Sequence, residues 1–198
     1  MTKEKIKQAA LELFSKHGYS GTTLAQIAEQ VGIKTPSLFS HFKGKEELFV
    51  TIFHEVNWQI VEHVKRLAAE RRGTSVKETL HKIFLRSCQF YLENEARTLF
   101  LKQTLILPPP FLQESIMDGF FHSEDALSAV LTEVLEQGIE EGVVCKRPVE
   151  QLIAAYYCMM DGILMQIHVY EPKQMEARIT SIWEHFWRGL QAERCEGI

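Results

Sequence analysis

The chain has 198 residues, 45% of them apolar and 24% charged, with a formal net charge of −4 at neutral pH. These shares are ordinary for a soluble globular protein with a sizeable core, and no apolar run is long enough to span a bilayer. The opening Met1-Thr2-Lys3-Glu4-Lys5 has no apolar segment behind its charges, so no signal peptide is expected and the cytoplasm is the expected location.

The first predicted helix runs from about Lys3 to His17. Ile6, Ala10, Leu13 and Phe14 make its buried stripe and Gly18 stops it. Residues 22–45 then read as two short helices around a tight turn. Thr23 is a good cap for the first of them. Leu24, Ile27, Ala28 and Val31 fall on one face, and Gly32 supplies the freedom to stop and turn. Thr35 offers a second cap, Pro36 suits a first helical position, and Leu38, Phe39 and Phe42 give the second helix its apolar side.

That pattern is a helix-turn-helix, which places its second helix in the major groove of DNA. Hydroxyl and basic side chains surround the second helix, as base-edge and phosphate contacts require. Lys34, Thr35, Pro36, Ser37 and Ser40 are expected near base edges. Thr23, His41, Lys43 and Lys45 are expected on phosphates, and Phe39 lies on the same surface. A plain helical hairpin with a solvated basic face is the alternative. The charge divides accordingly. Residues 1–50 hold seven lysines against five acidic residues, a net of +2, while the remainder carries −6. Phosphate attraction needs only a local positive surface.

A long helix should follow from Lys45 to about Arg72. Its stripe includes Leu48, Phe49, Ile52, Phe53, Val56, Ile60, Val64 and Leu67. Ser75 caps the next, with Glu78 completing a capping box. A short helix from Arg97 should end before Pro108-Pro109-Pro110. Another spans about Phe111 to Glu141, broken or kinked near Gly119. The last two begin at Pro148 and Lys173 and end near Tyr170 and Arg194. No repeat, low-complexity segment or strand alternation interrupts them.

The N-terminal residues resemble those of the TetR family, the tetracycline-repressor-like regulators. The resemblance lies in Phe14-Ser15-Lys16-His17-Gly18-Tyr19, Thr22-Thr23, Ile27-Ala28-Glu29-Gln30-Val31-Gly32-Ile33 and Leu38-Phe39-Ser40-His41-Phe42-Lys43-Gly44-Lys45-Glu46-Glu47-Leu48. It covers about the first quarter of the chain. Two positions depart from the family pattern: Phe39 stands where Tyr is common, and Ala25 where Arg or Lys is frequent. Each removes a possible DNA contact. The resemblance implies an all-α fold of about nine helices. It divides into a DNA-binding domain at 1–46 and a ligand-binding and dimerisation domain at 47–198. It also implies a homodimer on a palindromic operator, released by a small effector.

Two features of the second half fit that implication. The helix from Pro148 is apolar nearly all round, so both its sides should be covered. Ile153, Tyr157 and Leu164 on it, with Ile179, Trp183, Phe186 and Trp187 on the last helix, are the expected dimer contacts. A place at the centre of a monomeric core is the other reading. Phe53, Trp58, Phe84, Cys88, Tyr91, Phe100, Gln103, Met117, Phe121, Tyr156 and Met160 form an aromatic and sulfur-rich group. That group suits either a core or an apolar ligand cavity.

Enzymatic readings fare worse. Glu78-Thr79-Leu80-His81 has the Glu-x-x-His spacing of a di-metal bundle. Such a site needs two such motifs and further carboxylates, and Glu78 already serves as a cap. Cys88, Cys145, Cys158 and Cys195 lack metal-ligand spacing and read as reduced thiols. No cofactor, metal or catalytic residue is expected. A helical interaction protein with weakened DNA binding is the remaining rival to a regulator.

Overall fold

The computed structural model describes residues 2–70 and 73–192. Among them it is all-α, as expected, with nine α-helices: α1 Thr2–His17, α2 Leu24–Val31, α3 Thr35–Leu38, α4 Lys45–Ala69, α5 Val76–Leu92, α6 Glu95–Ile106, α7 Gln113–Glu140, α8 Val149–Gln166 and α9 Pro172–Leu190. A 3-10 turn, Pro110–Leu112, precedes α7. The expected helix ends at Arg72 and Arg194, and Cys195, lie outside the described residues.

Local chemistry sets most of the boundaries. Gly18, at φ 67°, closes α1 in the left-handed region that an L side chain resists. Ser75 and Glu78 form the expected capping box. Asn94 Oδ1 accepts from the Arg97 amide, so α6 opens at Glu95, two residues ahead of the expected start. The chain leaves α8 at Gln166 rather than near Tyr170. Glu171, held extended before Pro172, then caps α9. The expected break in α7 does not occur. Gly119 sits within a continuous helix, and a Cβ there would meet the His54 ring.

The chain forms two compact units, Met1–Gln59 with Asn94–Ser123 and Ile60–Glu93 with Glu124–Ile198. They group the chain differently from a boundary at residue 46, since α6 and the first part of α7 join the N-terminal helices. In the first unit α1 packs on α2 and α6. Phe14, Phe49 and Phe100 meet with centroids 4.9 to 6.3 Å apart. Phe14, Phe53 and Phe100 are at most 1% exposed, and burial of each contributes about 1.5–3 kcal/mol. The Lys7 ammonium, 2.6 Å from a Glu55 carboxylate oxygen, ties α1 to α4.

In the second unit α5, α8 and α9 pack on one another. Trp183 stacks on His81, at 4.6 Å, and on Phe84, at 5.4 Å, and also contacts Trp187. Gly138 admits Val76 and Val144 against the α7 backbone.

Candidate functional site

The helix-turn-helix is built as its residues demand. The Thr23 hydroxyl accepts from the Gln26 amide, and the Gln26 side chain returns to the Thr23 amide, a closed capping box at the start of α2. Ile27 and Ala28 are buried beneath it. Gly32 ends α2 at φ 76°, and the Gly32 and Ile33 amides satisfy α2's last carbonyls. Helix α3 covers only Thr35–Leu38, with Lys34 rather than Thr35 at its N-cap position. The chain continues through a turn in which His41 and Phe42 donate to the Leu38 carbonyl. Leu38 and Phe42 are the anchors of this segment, at 0% and 2% exposure.

Anchoring on those two residues decides what faces outward. Lys34, Pro36, Ser37, Ser40 and Lys43 are exposed, Thr35 and His41 half-buried, and Phe39 is 53% exposed. The Ser40 hydroxyl donates to the Ser37 carbonyl at 2.7 Å, which leaves its oxygen free to accept. Thr23 is exposed at the end of α2, with its hydroxyl engaged in the cap. All ten expected DNA-facing residues thus lie wholly or partly at the surface of one segment or of its flanking turns.

Lys45 departs from its expected role as a phosphate clamp. Its ammonium donates to the Tyr19 and Thr22 carbonyls, each at 2.8 Å, and stands 4.1 Å from the Tyr19 ring centroid. Burial holds its pKa below the ordinary lysine value. Sequence reasoning also missed Glu47, whose carboxylate accepts the Lys43 amide at 2.6 Å. Its position in the first turn of α4 was the available signal.

The expected ligand residues fall in both units. In the first, Phe53 and Phe100 are core. Gln103 is not a spare polar handle, because its amide nitrogen donates to the Ser15 carbonyl at 3.1 Å. Trp58 is half-buried and stacked on His122 at 5.3 Å, Met117 is half-buried, and Phe121 is 55% exposed. Asn57, next to Trp58 on α4 and 8% exposed, has its amide nitrogen buried without a hydrogen-bond partner. In the second unit Phe84, Cys88, Tyr156 and Met160 are buried and Tyr91 is half-buried. Burial pushes the Cys88 thiol up to about 12 and raises the Tyr156 phenol still further.

Several expected dimer contacts are already covered within one chain. Ile153, Leu164, Ile179, Trp183 and Trp187 are 5–7% exposed, and Trp183 and Trp187 pack inward against α5 and each other. Within one chain these five contribute mainly to the core and offer little free surface. Phe186 is half-buried beside Tyr156. Tyr157 donates to the Glu124 carbonyl and pairs with the Ser128 hydroxyl, and its pKa is pushed up to about 12, mainly by burial. The outer face of α8 presents Ala154, Ala155, Cys158 and Met165, with Gly162 half-buried among them. Beside that face an open groove of about 430 Å³ runs along α7 and α8, with Glu124, Glu136 and Glu150 on its rim.

Comparisons with known proteins agree with this geometry. Residues 6–52 match the family described as bacterial regulatory proteins, tetR family. Over 47 residues, 24% of this chain, the sequence is 49% identical to IcaR of Staphylococcus epidermidis, a biofilm operon negative transcriptional regulator. The match covers 25% of that protein, and this chain spans about a quarter of the length of such relatives. The fatty acid metabolism regulator protein of Bacillus subtilis is 27% identical over 145 residues, 70% of this chain and 71% of that one. The solved structure of FadR from Bacillus subtilis in complex with stearoyl-CoA is similar in fold, with a TM-score of 0.78 at 19% identity. That likeness covers 95% of this chain and 99% of the other.

Proposed function

We propose that this chain, whose residues 6–52 match the family described as bacterial regulatory proteins, tetR family, is a homodimeric transcriptional repressor. It would read a palindromic operator with residues 1–46 and respond to a small, largely apolar ligand through residues 47–198. The observation that carries the reading is the surface of the segment after Gly32. There Leu38 and Phe42 anchor inward while Lys34, Pro36, Ser37, Ser40 and Lys43 face out. Ser37 and Ser40 can hydrogen-bond base edges, Pro36 can contact a thymine methyl, and Lys43 can neutralise phosphate. Relatives that share this domain are regulators of transcription rather than enzymes. No helix among the described residues is long and apolar enough to cross a membrane.

Ligand response rests on a different observation. Helix α4 begins beside the DNA-reading segment and carries Phe53, Asn57 and Trp58. The unpartnered Asn57 amide is a donor held away from water, at a cost of about 1–3 kcal/mol. A ligand carbonyl or carboxylate oxygen reaching it would remove that cost and bias the position of α4. The fatty acid regulator and the stearoyl-CoA complex make long-chain acyl thioesters the first compounds to try. A coupling of about 1–3 kcal/mol would change DNA affinity roughly 5–150-fold. The test is Trp58 fluorescence together with operator release, titrated with acyl-CoA of increasing chain length. Release that follows chain length and is lost in Asn57→Leu supports the reading. No fluorescence change and no release across the series would leave a regulator that acts without this ligand class.

A further inference from the structure

We propose that Lys45 is the positioning residue that fixes the entry of the helix-turn-helix, by latching the turn between α1 and α2 to the first residue of α4. The role in DNA reading rests on the regulator function proposed above; the latch itself rests on geometry. An ammonium has three N–H donors. Two of those of Lys45 reach the Tyr19 and Thr22 carbonyls at 2.8 Å, and the Tyr19 ring face lies 4.1 Å from the nitrogen on a further side. A cation over an aromatic face is itself attracted. The ammonium is therefore satisfied from within the protein, and a phosphate would have to displace a contact already made.

The latched turn is also tied down at other points. Thr22 is fully buried and its hydroxyl donates to the Gly18 carbonyl at 2.9 Å. Tyr19 packs edge-on against Phe49 at 5.2 Å and Phe111 at 5.4 Å. Thr23, the residue after the latched carbonyl of Thr22, is the cap of α2. Three contacts to one nitrogen thus set where α2 starts relative to α4, and the Gly32 turn passes that setting to the segment that faces DNA. The lowered pKa of Lys45, caused by burial, is what an inward-turned ammonium should show.

Phosphate clamp and latch differ in salt dependence. Each phosphate contact contributes a slope of about 0.9 in log affinity against log salt. Operator affinity of wild type, Lys45→Met and Lys43→Met is measured between about 50 and 200 mM salt. Loss of one phosphate contact should shrink the ratio of wild-type to variant affinity about 3.5-fold over that range. Lys43→Met is expected to show that shrinkage. Lys45→Met is expected to bind more weakly by a factor that stays constant. A second measurement needs neither DNA nor a folded variant: reductive methylation of the free wild-type protein, mapped by mass spectrometry. Lys45 should react much more slowly than Lys34 and Lys43. A 3.5-fold shrinkage in Lys45→Met, or methylation of Lys45 at the rate of Lys43, overturns the latch. If wild type binds no duplex at any salt, the regulator function fails, and methylation still decides the latch.

Discussion

His81 shows how one side chain links packing to pH. It is half-buried, stacked on Trp183, with its pKa held below 6.5 by burial and then by the charge of Lys77. His63 is lowered for the same leading reason, with Arg66 and Arg86 adding to it. Between the folded pKa and 6.5 the unfolded chain binds more protons at these positions than the folded one. Stability is therefore complete above 6.5 and is lost as pH falls through that window. Chemical denaturation at pH 7 and pH 5 should show a smaller loss for His81→Phe than for wild type; equal losses would mean the stack does not exclude the charged ring. Sequence reasoning saw His81 only as half of a Glu-x-x-His spacing. It could place Thr23, Gly32, Ser75 and Glu78, because caps and turns depend on neighbours within four residues. It did not foresee the partners of Lys45 and Gln103, because these, Tyr19 with Thr22 and Ser15, are 23 to 88 residues away in the chain.

At the scale of elements, the order and type of helices were legible from apolar spacing and punctuation, while the use of each face was not. Gly119 is the plainest case. A glycine in a helical run suggests a break, yet here it makes room for His54, whose Nε2 donates to the Ser115 carbonyl at 3.1 Å. Gly119→Ala makes the exposed His54 ring swing aside, and the better helix propensity of Ala, about 1 kcal/mol, offsets that cost. The single variant should be near neutral, and adding His54→Ala, which removes the clash, should raise its stability. Thermal melts of the single and double variants check this; equal melts for both would place the cost elsewhere. The α8 and α9 helices make the same point about faces. Their aromatic residues suggested an interface, but apolar periodicity does not distinguish a core stripe from a contact between subunits. Trp183 and Trp187 stack inside the unit, while α8 turns Ala154, Ala155 and Cys158 outward. Trp183→Ala is expected to cost about 3–5 kcal/mol of stability. Ala155→Arg should leave the fold intact and yield a monomer in sedimentation at micromolar concentration. A dimer that persists in Ala155→Arg would move the interface away from this face.

For the whole molecule, a small helix-turn-helix segment precedes a larger helical body whose sequence resemblance to known proteins is much weaker. That asymmetry has a physical basis. A tight helix-turn-helix admits few solutions for its turns and close contacts, so Gly18-Tyr19, Thr22-Thr23, Ala28, Gly32 and His41-Phe42 are readable at sight. An apolar helical body can be filled by many combinations of Phe, Leu, Ile and Met, so its pattern reports burial and says little of a ligand. The proposed dimer connects the two levels. Two heads can dock together only when their separation matches one turn of DNA or a multiple of it, and a ligand that moves α4 would act on that separation. The central claim is sequence-specific reading of a two-fold symmetric site. It is tested most directly by selecting bound duplexes from a random pool with the wild-type protein. The account predicts a palindromic consensus with half-site centres one or two helical turns apart. Recovery of sequences with no shared motif, or of a single half-site without symmetry, would contradict it.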